Sequence, residues 1–288
     1  MRIAVGRRRA LFLCAGVWLT PTLVRAQSAE PSVVAVADSG HRPSLFTRAD
    51  PLILGAFVLG AAAIGPFDKR IANEIREPEA QNSKTASNAA KTFNWIGSPG
   101  VLIASVASYG VGRIGHFERV ADLGLHTTEA IVVSAGVTYL IKGLAGRQRP
   151  SRAGIGDPDD FKFGGGFGSG GGTSFPSGHA TAAFATATVV TLETHRWWPK
   201  STWYVAPVMF GGATLVGVAR LYTNAHWASD VVMGAGIGTL TALKVVRYNH
   251  VTSPNNRVNR WLLTAVPTVS PNLTDGGVTL GWSFDAPR

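Results

Sequence analysis

Three stretches of this chain put cations, imidazoles and a carboxylate at spacings that suit phosphate chemistry. They run from Lys142 to Arg149-Pro150, through Pro176-Ser177-Gly178-His179, and from Arg220 through His226 to Asp230. Monoester hydrolysis needs positive groups around charged oxygens, an in-line nucleophile, and an acid for the departing alkoxide. Positioning and electrostatics supply most of the catalysis. Lys142 and Arg149 are two helical turns apart, so one helix face can carry both, and Pro150 should end that helix. Pro176 suits a first helical turn, which would leave the Ser177 and Gly178 N–H groups at a helix N-terminus, where anions bind. Gly178 leaves room for a ligand against the backbone. His179 follows as an acid or base. His226 and Asp230, four apart, would share a helix face, with the carboxylate fixing the tautomer and leaving Nε2 free to attack. Arg220 can fork onto phosphate oxygens. Each stretch alone has a plainer reading: a basic helix end, an ordinary helix start, a surface ion pair. Their order and internal spacing together argue against coincidence.

The elements that must hold these residues read as helices. Apolar, small-residue segments fall near 51–67, 96–112, 126–145, 180–193, 203–219 and 231–246. They are too long, and too poor in period-two alternation, for strands. Residues 68–95 are polar but helix-forming, and read as a further amphipathic piece. The glycine-rich loop 151–174 lacks the Gly-Lys-Ser/Thr ending of a P-loop and reads as a mobile flap. In the tail, Val278, Leu280, Trp282 and Phe284 alternate with polar or small residues after Asp275-Gly276-Gly277, which predicts a β-hairpin. The expected fold is all-α: a bundle of about six core helices with a short C-terminal β-hairpin. The expected domains are an export signal (1–26), a polar tether (27–50), a helical phosphatase domain (51–250) and a tail (251–288).

Taken together, the three motifs resemble the signature of the type 2 phosphatidic acid phosphatase superfamily, which also contains bacterial class A acid phosphatases and vanadium haloperoxidases. The resemblance covers residues 50–250 in layout, and its specific part is Lys142 to Asp230. It implies that Lys142, Arg149 and Arg220 bind the phosphate, with help from Ser177 and the Gly178 N–H. It further implies that His179 protonates the leaving group, His226 forms a phosphohistidine and Asp230 orients it. No metal or other cofactor is implied. The third motif usually opens Ser-Arg, whereas this chain has Ala219-Arg220, so one hydroxyl contact is missing. The expected function is a metal-independent phosphatase acting on lipid or other organic phosphate monoesters. The competing readings are a vanadate-dependent haloperoxidase and a non-catalytic anion-binding or membrane protein.

Composition bounds the setting. Residues 1–26 carry Arg2, Arg7, Arg8 and Arg9, then an apolar run, then Val24-Arg25-Ala26, the pattern of an export signal. An uncleaved anchor is the alternative. The formal charge of +10 includes five arginines and no acid in that segment, which leaves +5 after it. That balance fits an anionic substrate or a membrane surface, and no nucleic-acid module accompanies it. The single cysteine, Cys14, lies within the signal. A cleaved signal followed by six spans would place Arg149 on the inner side, opposite to the outward site of membrane-embedded relatives. The expectation is therefore an exported, periplasmic helical domain that does not span, with inner-membrane association and an outward-facing site as the alternative. The expected partner is a phosphorylated small molecule or lipid.

Overall fold

The computed structural model describes residues 43–151, 156–168, 172–252, 265–271 and 278–284. The expected signal, residues 27–42 of the tether and the Asp275-Gly276-Gly277 turn lie outside the described residues. The helices in chain order are α1 (Asp50–Ile64), α2 (Asp68–Arg76), α3 (Pro78–Gln81), α4 (Lys84–Trp95), α5 (Val101–Ile114), α6 (Glu118–Ala145), α7 (Gly178–Trp197), α8 (Thr202–Tyr222) and α9 (Ala228–Arg247). A single helical turn, Tyr248–Thr252, extends α9.

The expected fold class is corrected in two respects. Seven long helices, α1 and α4 to α9, make the bundle rather than about six, because the polar stretch 68–95 contributes α4, which packs on α8. Between Asp50 and Thr252 no strand is found among the described residues, only an isolated bridge from Arg147 to Phe161. The fold is an all-α bundle. After it, Ala265–Pro271 and Val278–Phe284 run antiparallel with Val269 opposite Leu280. A two-stranded ladder cannot build a core of its own, so it does not belong in the definition of the fold.

Helix α7 is the axis, packed by α6, α8 and α9. Its core contacts are small. One cluster joins Ala130, Ala185, Val189, Ala242 and Val246; the other joins Ala183, Ala187, Ala213 and Val216. Glycine lets α9 approach α7 closely. A Cβ at Gly238 would stand 2.2 Å from the Thr181 carbonyl oxygen, and one at Gly234 would stand 2.5 Å from that of Ser177. The large apolar side chains point the other way. Leu52, Val58 and Leu59 on α1, Val132, Val133 and Leu140 on α6, and Trp203 and Val208 on α8 are exposed.

Four helical stretches, Asp50–Arg76, Glu118–Ala145, Pro199–Tyr222 and Ala228–Thr252, are long and apolar enough to cross a membrane. Small residues inside with large apolar ones outside is the packing of helices in lipid, where close backbone approach replaces hydrophobic burial. This packing favours the inner-membrane-associated alternative of the sequence reading over the non-spanning domain. At its N-terminal end α1 is pinned to α9 by Asp50, whose carboxylate meets Lys244 Nζ at 2.5 Å.

Candidate active site

The candidate residues lie at helix ends and the loops joining them. Lys142 is in the last turn of α6, and Gly146 closes that helix in the left-handed conformation (φ +59°). Helix α6 therefore stops before Arg149, which lies in the following loop and not on the helical face expected from its spacing. Gly146 takes the left-handed cap at little steric cost. The described part of the glycine-rich loop docks on this end: Gly164 and Gly166 N–H donate to the Leu144 and Gly143 carbonyls at 2.9 and 3.1 Å. Those residues thus cap α6. Ser177 is the N-cap of α7, its hydroxyl accepting from Ala180 N–H at 3.4 Å. Its own N–H donates to the Asp230 carbonyl at 3.0 Å, so the Ser177 amide is not open to an anion as expected. The N–H groups of Gly178 and His179, in the first turn of α7, carry that capacity.

His226 precedes α9, and Asp230 lies in that helix's first turn. They do not stack on one helix as their spacing suggested. His226 Nδ1 is 2.7 Å from the Ser174 carbonyl oxygen and 3.6 Å from Asp230 Oδ2. The second distance is too long for a hydrogen bond. The carbonyl can only accept, so it fixes the Nδ1–H tautomer and leaves Nε2 with a lone pair. Asp230 acts one step back. Its Oδ2 accepts from Ser174 Oγ at 2.5 Å and from Trp227 N–H at 2.9 Å, holding both neighbours of the imidazole.

The carboxylate of Asp230 is fully buried, and Arg147 is its counter-ion. Arg147 Nη1 meets Asp230 Oδ1 at 2.5 Å and Ser229 Oγ at 2.8 Å, while Nη2 meets Asp68 Oδ2 at 2.8 Å. Its guanidinium lies 5.0 Å from the ring centre of Phe161 and 5.7 Å from that of Trp227. Asp68 also accepts from the Ser229 N–H at 3.0 Å. This buried Asp68–Arg147–Asp230 chain ties α2, the loop after α6 and the start of α9 into one frame.

The remaining cations face the histidines. Lys142 Nζ donates to the Thr173 and Pro176 carbonyls, both at 2.7 Å. Arg220 Nη1 donates to Asn94 Oδ1 at 2.8 Å. The Nε–H groups of Arg149 and Arg220 are buried with no hydrogen-bond partner. A buried donor left unpaired is costly, and two charged ones side by side invite an anion. His179 registers the convergence. Burial first, then the charges of Arg220, His226, Arg149 and Lys142, draw it from 6.5 down to about 4. Burial likewise draws His226 to about 4, against the pull of Asp230.

These shifts set a pH dependence for stability. Below its ordinary value near 6.5 each histidine takes up a proton in the unfolded chain but stays neutral in the fold down to about 4. The unfolded state then binds more protons, so stability rises with pH across that window and is lost as pH falls through it. The melting temperature in detergent is expected to drop between about pH 6.5 and 4, and His226→Asn should flatten part of that drop. An unchanged slope in the variant would contradict the shift.

Residues 124–253 match the family profile described as the PAP2 superfamily. The match spans 130 of the 288 residues, a little under half of the chain. All eight expected residues lie inside this PAP2 segment, whereas Asp68 and Asn94, which reach in from α2 and α4, lie outside it. A 67-residue stretch is 43% identical to a lipid A 1-phosphatase of Porphyromonas gingivalis, covering 23% of this chain and 14% of that one. The chain thus spans a small part of that relative. The fold is shared with a solved transmembrane PAP2-type phosphatidylglycerolphosphate phosphatase from Bacillus subtilis. The TM-score is 0.53 at 21% identity, over 71% of this chain and 97% of that one. LpxE of Aquifex aeolicus aligns at a TM-score of 0.41 and 23% identity, over 62% of this chain and 93% of that one.

Sequence reasoning missed Arg147, Ser174, Asp68 and Asn94. Arg147 had a weak signal in its place two residues before Arg149. The others had none, since their partners are remote in the chain. Among the described residues, the grouping able to hold a metal ion is His126, Glu193 and His250, away from the PAP2 motifs.

Proposed function

We propose that this chain is a membrane-embedded phosphatase that cleaves a lipid phosphate monoester through a phosphohistidine on His226, without a metal. The observation that carries the reading is the pair of buried, unpartnered guanidinium N–H groups on Arg149 and Arg220, next to two neutral imidazoles. Lys142, Arg149 and Arg220 hold the phosphoryl oxygens, with the first N–H groups of α7, and supply the positive charge that a divalent ion gives elsewhere. The Nε2 lone pair of His226 forms the N–P bond while the ester P–O bond breaks. His179 gives its proton to the leaving oxygen. Water then attacks phosphorus, His179 takes up its proton, and the N–P bond breaks to release orthophosphate. His179 is neutral in the free site, so the bound phosphate dianion must raise its proton affinity for this role.

The lipid preference rests on the exposed apolar side chains of α1, α6 and α8, and agrees with the lipid substrates in the names of two of the relatives. The site faces outward from the membrane in this reading. The test is phosphate release by the purified full chain in EDTA, from lipid and soluble monoesters in parallel. Release from lipids is expected to exceed that from soluble esters. Activity that disappears in EDTA and returns with a divalent ion would overturn the metal-free mechanism.

The acid role has its own test. His179→Ala is expected to slow esters with alkyl leaving groups by roughly 10²–10⁴-fold. Nitrophenyl phosphate, whose leaving group barely needs a proton, should lose far less. Equal losses on both substrates would make His179 a binding residue.

A further inference from the structure

At the end of the bundle away from the phosphate site lies a second polar cluster with no part in that chemistry. His126 on α6, Glu193 on α7 and His250 in the turn after α9 place one ligand atom each within 4.8 Å of one another. His126 Nδ1 is 2.8 Å, and His250 Nε2 2.7 Å, from the same oxygen, Glu193 Oε1. The two rings meet edge to face, with centres 5.0 Å apart and planes at 87°. His126 is separated from Lys142 by about 24 Å along α6, and Glu193 from His179 by about 21 Å along α7, at 1.5 Å per residue.

Two features exceed what a helix tie requires. Glu193 is 1% exposed, yet its Oε2 has no hydrogen-bond partner. Arg196 Nε stands 3.8 Å from that oxygen on a half-exposed side chain. Moreover, both imidazoles direct a nitrogen at a single carboxylate oxygen, so three donor atoms converge on one point. Two imidazole nitrogens and a carboxylate are a donor set that zinc and its first-row neighbours accept. Asp122 lies one turn before His126 on α6.

We propose that His126, Glu193 and His250 form a zinc-class metal site that clamps α6, α7 and the end of α9 together, remote from the phosphatase centre. Binding exchanges hydrogen bonds for coordination. The N–H of His126 passes from Nδ1 to Nε2, and that of His250 from Nε2 to Nδ1, so each ring frees one nitrogen for the ion and keeps one N–H. Bond lengths near 2.0–2.2 Å put tetrahedral ligands about 3.4 Å apart. The carboxylate therefore draws back by several tenths of an ångström, which turning its unpartnered Oε2 toward the ion allows. His250 is partly exposed and gives the ion its way in.

The test uses the untagged full chain in detergent, stripped with chelator, incubated with zinc chloride and dialysed. Elemental analysis is expected to find about one zinc per chain, with a rise in melting temperature on zinc addition. His126→Gln and Glu193→Gln should each cut retained zinc at least tenfold and remove the thermal rise. Should His126→Gln fail to fold, His250→Gln, at the partly exposed end of the cluster, reads the same loss. Cobalt(II) should give an intense visible spectrum in the wild type and a weak one in the variants. Zinc well below one per chain in the wild type, or equal zinc in all variants, overturns the site. Neither result bears on the phosphatase reading, whose residues are untouched.

Discussion

His226→Ala is expected to reduce phosphate release by roughly four orders of magnitude or more, the scale seen when a covalent nucleophile is removed. The imidazole is 4% exposed and bonded through Nδ1, so its loss deletes the Nε2 lone pair proposed to attack without removing a helix cap. The fold should survive with a cavity cost of a few kcal/mol at most. The decisive measurement is the intermediate. With labelled substrate and an alkaline quench, in which a phosphoramidate persists, wild-type chain should retain label and the variant none. Label on the variant, or turnover above about a hundredth of wild type, would place the nucleophile elsewhere.

The largest stability loss is expected at Arg147→Met. The guanidinium is 4% exposed and lies between Asp68 and Asp230. Removing it strands two buried carboxylates near each other, and breaking even one such pair costs about 3–5 kcal/mol. For a chain of this size that is a fall in melting temperature of roughly 10 °C or more. Activity should fall too, because Asp230 then loses its anchor and with it the grip on Ser174. Adding Asp68→Asn to Arg147→Met removes one stranded charge and should restore part of the loss. A double variant no more stable than the single would show that the frame is not held by charge.

The candidate residues were legible because each motif is short and keeps its own spacing, so Lys142, His179, Arg220, His226 and Asp230 stand out without a structure. Their local conformations were not. Spacing put Arg149 on a helix, but Gly146 ends α6 before it is reached. Spacing paired His226 with Asp230, but the Ser174 carbonyl, 52 residues earlier, took the Nδ1 proton. Arg147 reaches Asp68 and Asp230 across separations of 79 and 83 residues, and no periodicity carries such a contact. Likewise α4 reads as merely polar in sequence. It earns its place in the bundle by packing Phe93 against the Ala183 and Ala213 cluster and by presenting Asn94 to Arg220. The roles of the eight expected residues stand as proposals, with the Ser177 amide set aside.

The alanine and glycine seam along α7 and α9 inverts the usual map of tolerance to amino-acid change. In a water-soluble protein the surface drifts freely and the core resists loss of volume. Here the resistance is to gain. Ala180, Ala185 and Ala187 have no exposed surface, and a single added methyl at Gly234 or Gly238 would strike a carbonyl oxygen of the neighbouring helix. On the outer faces, Val132, Val133 and Leu140 can exchange among apolar residues with little effect, because lipid accepts any of them. The positions free to vary are therefore those that look most like a hydrophobic core, and the positions under constraint are those that look most like filler.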